Sequence, residues 1–180
     1  MEEIEILRVT IRSDLKWCSN TQDIVKRASN KLWIIRRLKN LGANQGELVD
    51  MYTKQCRSIL EYGVPVWHGA ITKNERLEIE RVQKGALHLI LGEKYENYDN
   101  ALKLTKLETL EDRRNKLCLK FAKKAEKDIK HSKWFKLRPK TLTRVENPKY
   151  WNAMARTDRL KTSPIPYFTD LLNKHYSGNK

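Results

Sequence analysis

The chain has 180 residues, of which 39% are hydrophobic and 33% charged, and its net charge is +15; this suits one domain with an appended tail. No apolar run approaches the roughly 20 residues needed to cross a bilayer. The opening Met1-Glu2-Glu3 lacks the basic-then-apolar pattern of a secretory leader, so an intracellular protein is expected, in nucleus or cytoplasm, with no membrane partner. Cys18, Cys56 and Cys118 are isolated, and His68, His88, His131 and His175 are scattered, which argues against a disulfide framework or a metal site. No cofactor is expected.

From Glu5 to Ile11 apolar and polar residues alternate, with a slip at Leu7-Arg8, which predicts one short strand. A lone strand leaves its ladder groups unpaired and needs a neighbour. Asn20 or Thr21 is placed to cap a first helix running to about Leu41 and stopped by Gly42, with Ile24, Val25, Ala28, Leu32, Ile35 and Leu38 on its apolar side. Its opposite side presents Lys26, Asn30, Trp33 and Arg37, a basic and aromatic mixture. Asn44 caps a second helix through Leu48, Tyr52, Cys56, Ile59 and Leu60, broken at Gly63 and Pro65. Thr72 caps a third through Leu77, Ile79, Val82, Ala86, Leu87, Ile90 and Leu91, stopped by Gly92, and a short helical turn follows at Asp99 to Leu104.

Between Leu110 and Lys130 the sequence becomes distinctive. Arg113, Arg114, Lys116, Lys120, Lys123, Lys124, Lys127 and Lys130 recur at steps of three and four. At roughly 100° per residue, all but Arg114 fall on one side of a helix. Leu110, Leu117, Cys118, Phe121, Ala122, Ala125 and Ile129 gather on another. Like charges at this spacing repel by a few tenths of a kcal/mol per pair, and beyond Arg113 only Glu126 and Asp128 stand in this stretch to relieve them. A one-signed face is explained by an anionic partner, although lysine-rich faces also serve solubility alone. The imbalance extends to the whole second half: residues 1–90 carry 15 Lys+Arg against 11 Asp+Glu, and residues 91–180 carry 22 against 11.

Beyond Phe135 the periodicity dissolves into a stretch punctuated by Pro139, Pro148, Pro164 and Pro166, with Tyr150, Trp151, Tyr167 and Phe168 interspersed. This predicts an extended tail that docks by its aromatics, with a short final helix near Thr169 to His175; aromatics beside Arg and Lys can also stack on bases. The sequence contains no phosphate-cradling glycine loop, no H-E-x-x-H and no G-x-S-x-G. Glu75, Glu78 and Glu80 cluster, but beside Arg76, Arg81 and Lys84 they predict an ion-paired helix surface.

Several blocks together resemble the region after the catalytic palm in reverse transcriptases of non-LTR (LINE-type, jockey-like) retrotransposons. Val9 to Trp17 is similar to the end of that family's "LGVxIxxDLxW" segment, and Arg57 to Trp67 to its "RxxLEYxxPVW" block. Ile79 to Lys84 followed by Leu89 to Gly92 resembles "lExxQkxal..ilG", Leu107 to Leu117 resembles "LxxLxxRRxxL", and Arg159 to Tyr167 resembles the terminal stretch. The sequence has no Asp-Asp pair, which the family uses to hold two metal ions, and Arg8 stands where the family has Gly before Val.

The resemblance implies a mainly α chain: a small thumb-like helical bundle with a short N-terminal strand and an extended C-terminal tail. The expected division is 1–16 as a remnant of the primer-grip strand and turn, 17–136 as the helical domain, and 137–180 as the tail. The implied role is a non-catalytic fragment of an RNA-directed DNA polymerase that holds duplex RNA, DNA or hybrid by its backbone, with a palm supplied by another chain as a further partner. Arg113, Lys116, Lys120, Lys123, Lys124, Lys127 and Lys130 are the expected phosphate contacts, and Lys26, Trp33 and Arg37 a second surface. The alternative is a degenerate retrotransposon-derived reading frame, or a helical protein-interaction module with no nucleic-acid role.

Overall fold

A computed structural model of the chain describes residues 2–138, 149–152 and 156–177, and the architecture is mainly α. Strands β1 (Glu3–Ile6) and β2 (Val9–Arg12) precede α1 (Cys18–Asn40) and α2 (Gln45–Tyr52). A π-helical turn, Thr53–Arg57, leads into the short α3 (Ser58–Leu60) and α4 (Val64–Trp67). Then come α5 (Lys73–Leu91), α6 (Tyr98–Thr105), α7 (Leu110–Lys127), α8 (Asp158–Lys161) and α9 (Pro164–Ser177). The chain forms two compact units, Met1–Gly63 with Ile71–Arg114, and Val64–Ala70 with Asn115–Lys180. This division differs from the one expected at residues 16 and 136: a boundary falls inside α7, and the tail groups with a short segment from far upstream.

In the first unit the expected single strand is an antiparallel hairpin, with Ile4 opposite Ile11 and Ile6 opposite Val9. The slip at Leu7-Arg8 is its turn, with φ of +49° and +65°. Two consecutive positive φ values define a turn that favours Asn-Gly, and neither residue here is glycine, so the hairpin was hidden from sequence reading. Arg8→Gly is expected to stabilise this unit by about 1 kcal/mol, because a left-handed L-residue carries a strain that glycine lacks. The exposed Arg8–Glu5 pair at 3.7 Å that it would lose is worth little. Slower amide exchange across Glu3–Arg12 would verify this, and faster exchange would refute it.

Asn20 and Thr21 do not cap α1; they lie inside it and are buried. The Asn20 Oδ1 instead accepts a hydrogen bond from the Thr10 amide at 3.3 Å, holding β2 against the helix. Local signals succeed further on. Asn44 with Glu47, and Thr72 with Glu75, form reciprocal capping boxes at the starts of α2 and α5, and Gly42 and Gly92 stop α1 and α5 at positive φ. Ile35 of α1, Leu48 and Tyr52 of α2, Ala86, Leu87 and Ile90 of α5 and Ala101 of α6 close into the core, joined by Cys56 of the π-turn, whose thiol burial pushes up to about 11. Leu77, expected on the apolar side of α5, is 54% exposed.

In the second unit Val64 and Trp67 of α4 are fully buried and pack with α9. The next residues approach so closely that a Cβ at Gly69 would stand 2.8 Å from the Tyr167 ring and 2.9 Å from the Thr162 carbonyl oxygen. The buried His68 ring lies 3.0 Å from Asn115 Oδ1, which also accepts from the Tyr167 hydroxyl at 3.0 Å. The final helix is longer than the expected Thr169 to His175, because Pro164 and Pro166 sit in the first turn, where a missing N–H breaks no intrahelical bond. Phe168 and Leu172 of α9 are buried, as is Tyr150. Asn173 brackets Tyr150, accepting from its amide at 2.9 Å and donating to its carbonyl at 3.0 Å. The tail thus docks through Tyr150 and Phe168, as expected; Pro139 and Pro148 lie outside the described residues.

Candidate nucleic-acid interface

Helix α7 starts from partners that are remote in sequence. Thr109 accepts from the Asp112 amide at 3.1 Å, and the Leu110 amide donates to Glu80 of α5 at 3.0 Å. Glu80 also accepts from the Tyr98 hydroxyl. Among the three clustered glutamates, Glu75 therefore serves its own capping box and Glu80 the start of α7, rather than the ion-paired surface expected for them. Glu111 and Asp112 in the first turn, and Lys124 and Lys127 in the last, complement the helix dipole.

The inward stripe of α7 is Leu110, Arg114, Cys118, Ala122 and Ala125, all buried. Arg114, the one basic residue that the periodicity excluded from the cationic side, occupies a core position. Burial pulls its guanidinium below the ordinary range, partly offset by Glu80 and Glu111. Ile129, expected on the same stripe, follows the helix end and is 86% exposed.

On the opposite side Lys116, Lys120, Lys124 and Lys127 are exposed and Lys123 is half-buried. They lie within an arc of about 100° and along about 17 Å of helix. Two expected members depart from this rail. Arg113 turns its guanidinium onto Glu61, at 2.5 and 3.1 Å, a bidentate pair that raises its affinity for its proton and commits its charge internally. The same Glu61 faces Arg57 at 3.6 Å. Lys130 lies in the turn beyond the helix and is exposed.

Glu126 and Asp128, the acids nearest Lys120 to Lys130 in sequence, are both engaged elsewhere. Glu126 accepts from Lys149 at 2.8 Å, from the Tyr150 hydroxyl, and from Tyr176 at 2.7 Å. Partial burial opposes ionisation, but these three donors win and hold its carboxyl below the usual range. Asp128 bonds His131. Among the described residues Lys120, Lys123, Lys124, Lys127 and Lys130 take part in no ion pair.

The second expected surface belongs to the other unit. Lys26, Asn30, Trp33 and Arg37 share the outer side of α1, all exposed, and Trp33 keeps 59% of its surface in water. Arg36, three residues beyond the indole and also exposed, joins them. Among the described residues no cluster of acids, histidines and cysteines could hold a metal ion, and no helix is long and apolar enough to cross a membrane. Compared with known proteins, the chain matches no family model, no curated protein and no solved structure.

Proposed function

We propose that this chain binds the sugar-phosphate backbone of duplex nucleic acid through the outer side of α7, as a non-catalytic thumb-and-tail part of a mobile-element RNA-directed DNA polymerase. The observation that carries the binding reading is the segregation of Lys120, Lys123, Lys124 and Lys127 on one helix face while Glu126 and Asp128, the acids nearest them in sequence, are committed to other partners. Point charges on flexible stems suit phosphates and read no base edges, so sequence preference is slight. The family reading rests on the resembling blocks. Glu80 and Gln83 match the letters of "lExxQk", Glu61 and Trp67 those of "RxxLEYxxPVW", and Arg113 and Arg114 those of "RRxxL". Each has a packing or hydrogen-bonding task here, which is where a shared fold would constrain a sequence.

Binding to RNA, DNA and hybrid duplexes across a salt series tests this. With about five phosphates neutralised, log affinity falls against log salt with a slope of roughly −4 to −5. A slope near zero, or no duplex binding at low salt, would sink the reading.

A further inference from the structure

The tail aromatics divide sharply. Tyr150 and Phe168 are buried, whereas Trp151 keeps 51% of its surface in water. Its backbone is firmly held. The Trp151 amide donates to the Lys136 carbonyl at 2.8 Å and the Arg138 amide to the Lys149 carbonyl at 3.1 Å, which pairs Leu137 with Tyr150 in an antiparallel bridge. Asn173 clamps Tyr150 on one side of the indole and donates to Asn152 Oδ1 at 3.0 Å on the other. A large aromatic is therefore fixed in water between two anchored residues.

In this register the residues flanking the Leu137–Tyr150 pair share one side of the ribbon, which sets Lys136 across from Trp151 and Arg138 diagonal to it. The Arg138 guanidinium lies 5.4 Å from the indole centroid, stacking a planar cation on the ring. Lys136 is exposed beside it. A flat aromatic surface next to two cations suits a flat base carrying a phosphate; a protein partner would call for a contiguous apolar patch instead.

We propose that Trp151, with Arg138 and Lys136, is a stacking platform for an unpaired base of single-stranded nucleic acid, distinct from the lysine rail on α7. The proposal shares with the rail the premise that this chain binds nucleic acid, but the two are separable by substrate. The test compares a labelled ten-nucleotide oligo(dT) and a blunt duplex, each titrated with the full chain at one salt concentration. Trp151→Ala should weaken oligo(dT) binding about tenfold, as loss of one stacked base does, and leave duplex binding within about twofold. Trp151→Phe, which keeps a ring, should retain most of the affinity.

Wild-type strength at oligo(dT) in Trp151→Ala, equal losses on both substrates, or no oligo(dT) binding by the wild type would each overturn the platform. The first is also the result expected if the indole docks a protein. Loss at oligo(dT) with no duplex binding at all would instead remove the rail and leave the platform standing.

Discussion

Reversing Lys120, Lys123, Lys124 and Lys127 to Glu is expected to abolish duplex binding at 0.1 M salt without unfolding the chain. Each phosphate contact that releases a counterion contributes roughly 0.9 log unit at that concentration, so losing four costs at least about three orders of magnitude, before any repulsion from the new carboxylates. Among the described residues none of these four is ion-paired, so their reversal breaks no ion pair there. Like-charge spacings along the helix persist with opposite sign, a few tenths of a kcal/mol per pair, and Glu at 124 and 127 opposes the dipole at the end of α7, so the variant loses about 1–3 kcal/mol while remaining folded. Far-UV circular dichroism should therefore superimpose on the wild type while fluorescence anisotropy shows no binding. A control reversing Lys26 and Arg37 on the first unit reduces the salt slope by less than about 2. Equal losses from the two variants would mean that net charge alone, rather than the α7 face, governs binding.

What could be read from sequence was what depends on near neighbours. The capping boxes at Asn44/Glu47 and Thr72/Glu75, the stops at Gly42 and Gly92, and the outer side of α7 all follow from spacings of three to four residues. What stayed hidden depends on distant partners. Asn20 and Thr21 carry strong capping chemistry, yet the Thr10 amide claims Asn20 and both residues are buried within α1. Arg113 has the period of the lysine rail, but Glu61, from the end of another helical segment, captures it. The hairpin turn carries Leu-Arg where the backbone asks for Asn-Gly. The tail looked extended because its core is completed by Val64 and Trp67, which no local pattern connects to Phe168.

The same contrast separates the two kinds of candidate residue. Lysines of the rail stand out by number and period, since solvent imposes few constraints on an outer face. Trp151 does not stand out among Tyr150, Tyr167 and Phe168 in sequence; burial alone distinguishes it. Gln83 was likewise invisible, being an uncharged polar residue within an amphipathic helix, yet it holds the first unit together at the point where α7 begins.

That role makes Gln83→Leu the substitution with the largest expected cost in stability. Gln83 is fully buried; its Oε1 accepts from the Tyr52 hydroxyl at 2.7 Å, and its Nε2 donates to the Tyr98 hydroxyl at 2.9 Å and to the Glu108 carbonyl at 2.8 Å. Leucine fills similar space but satisfies none of these groups. Stripping partners from buried polar atoms costs about 1–3 kcal/mol per group, so a loss of roughly 3 kcal/mol is expected, seen as a fall of about 6–12 °C in the unfolding temperature. Tyr52→Phe, which removes one donor and leaves Gln83 its other two bonds, should cost about 1 kcal/mol. The double variant should be less destabilised than the two losses added, by about 1 kcal/mol, because the hydroxyl that leucine strands is then gone. Strict additivity, or a Gln83→Leu cost below about 0.5 kcal/mol, would show that the network is not a coupled unit. Since Glu108 and the Leu110 amide lie at the start of α7, the amides of its first turn should exchange faster in Gln83→Leu, while the lysines further along keep their grip on a duplex.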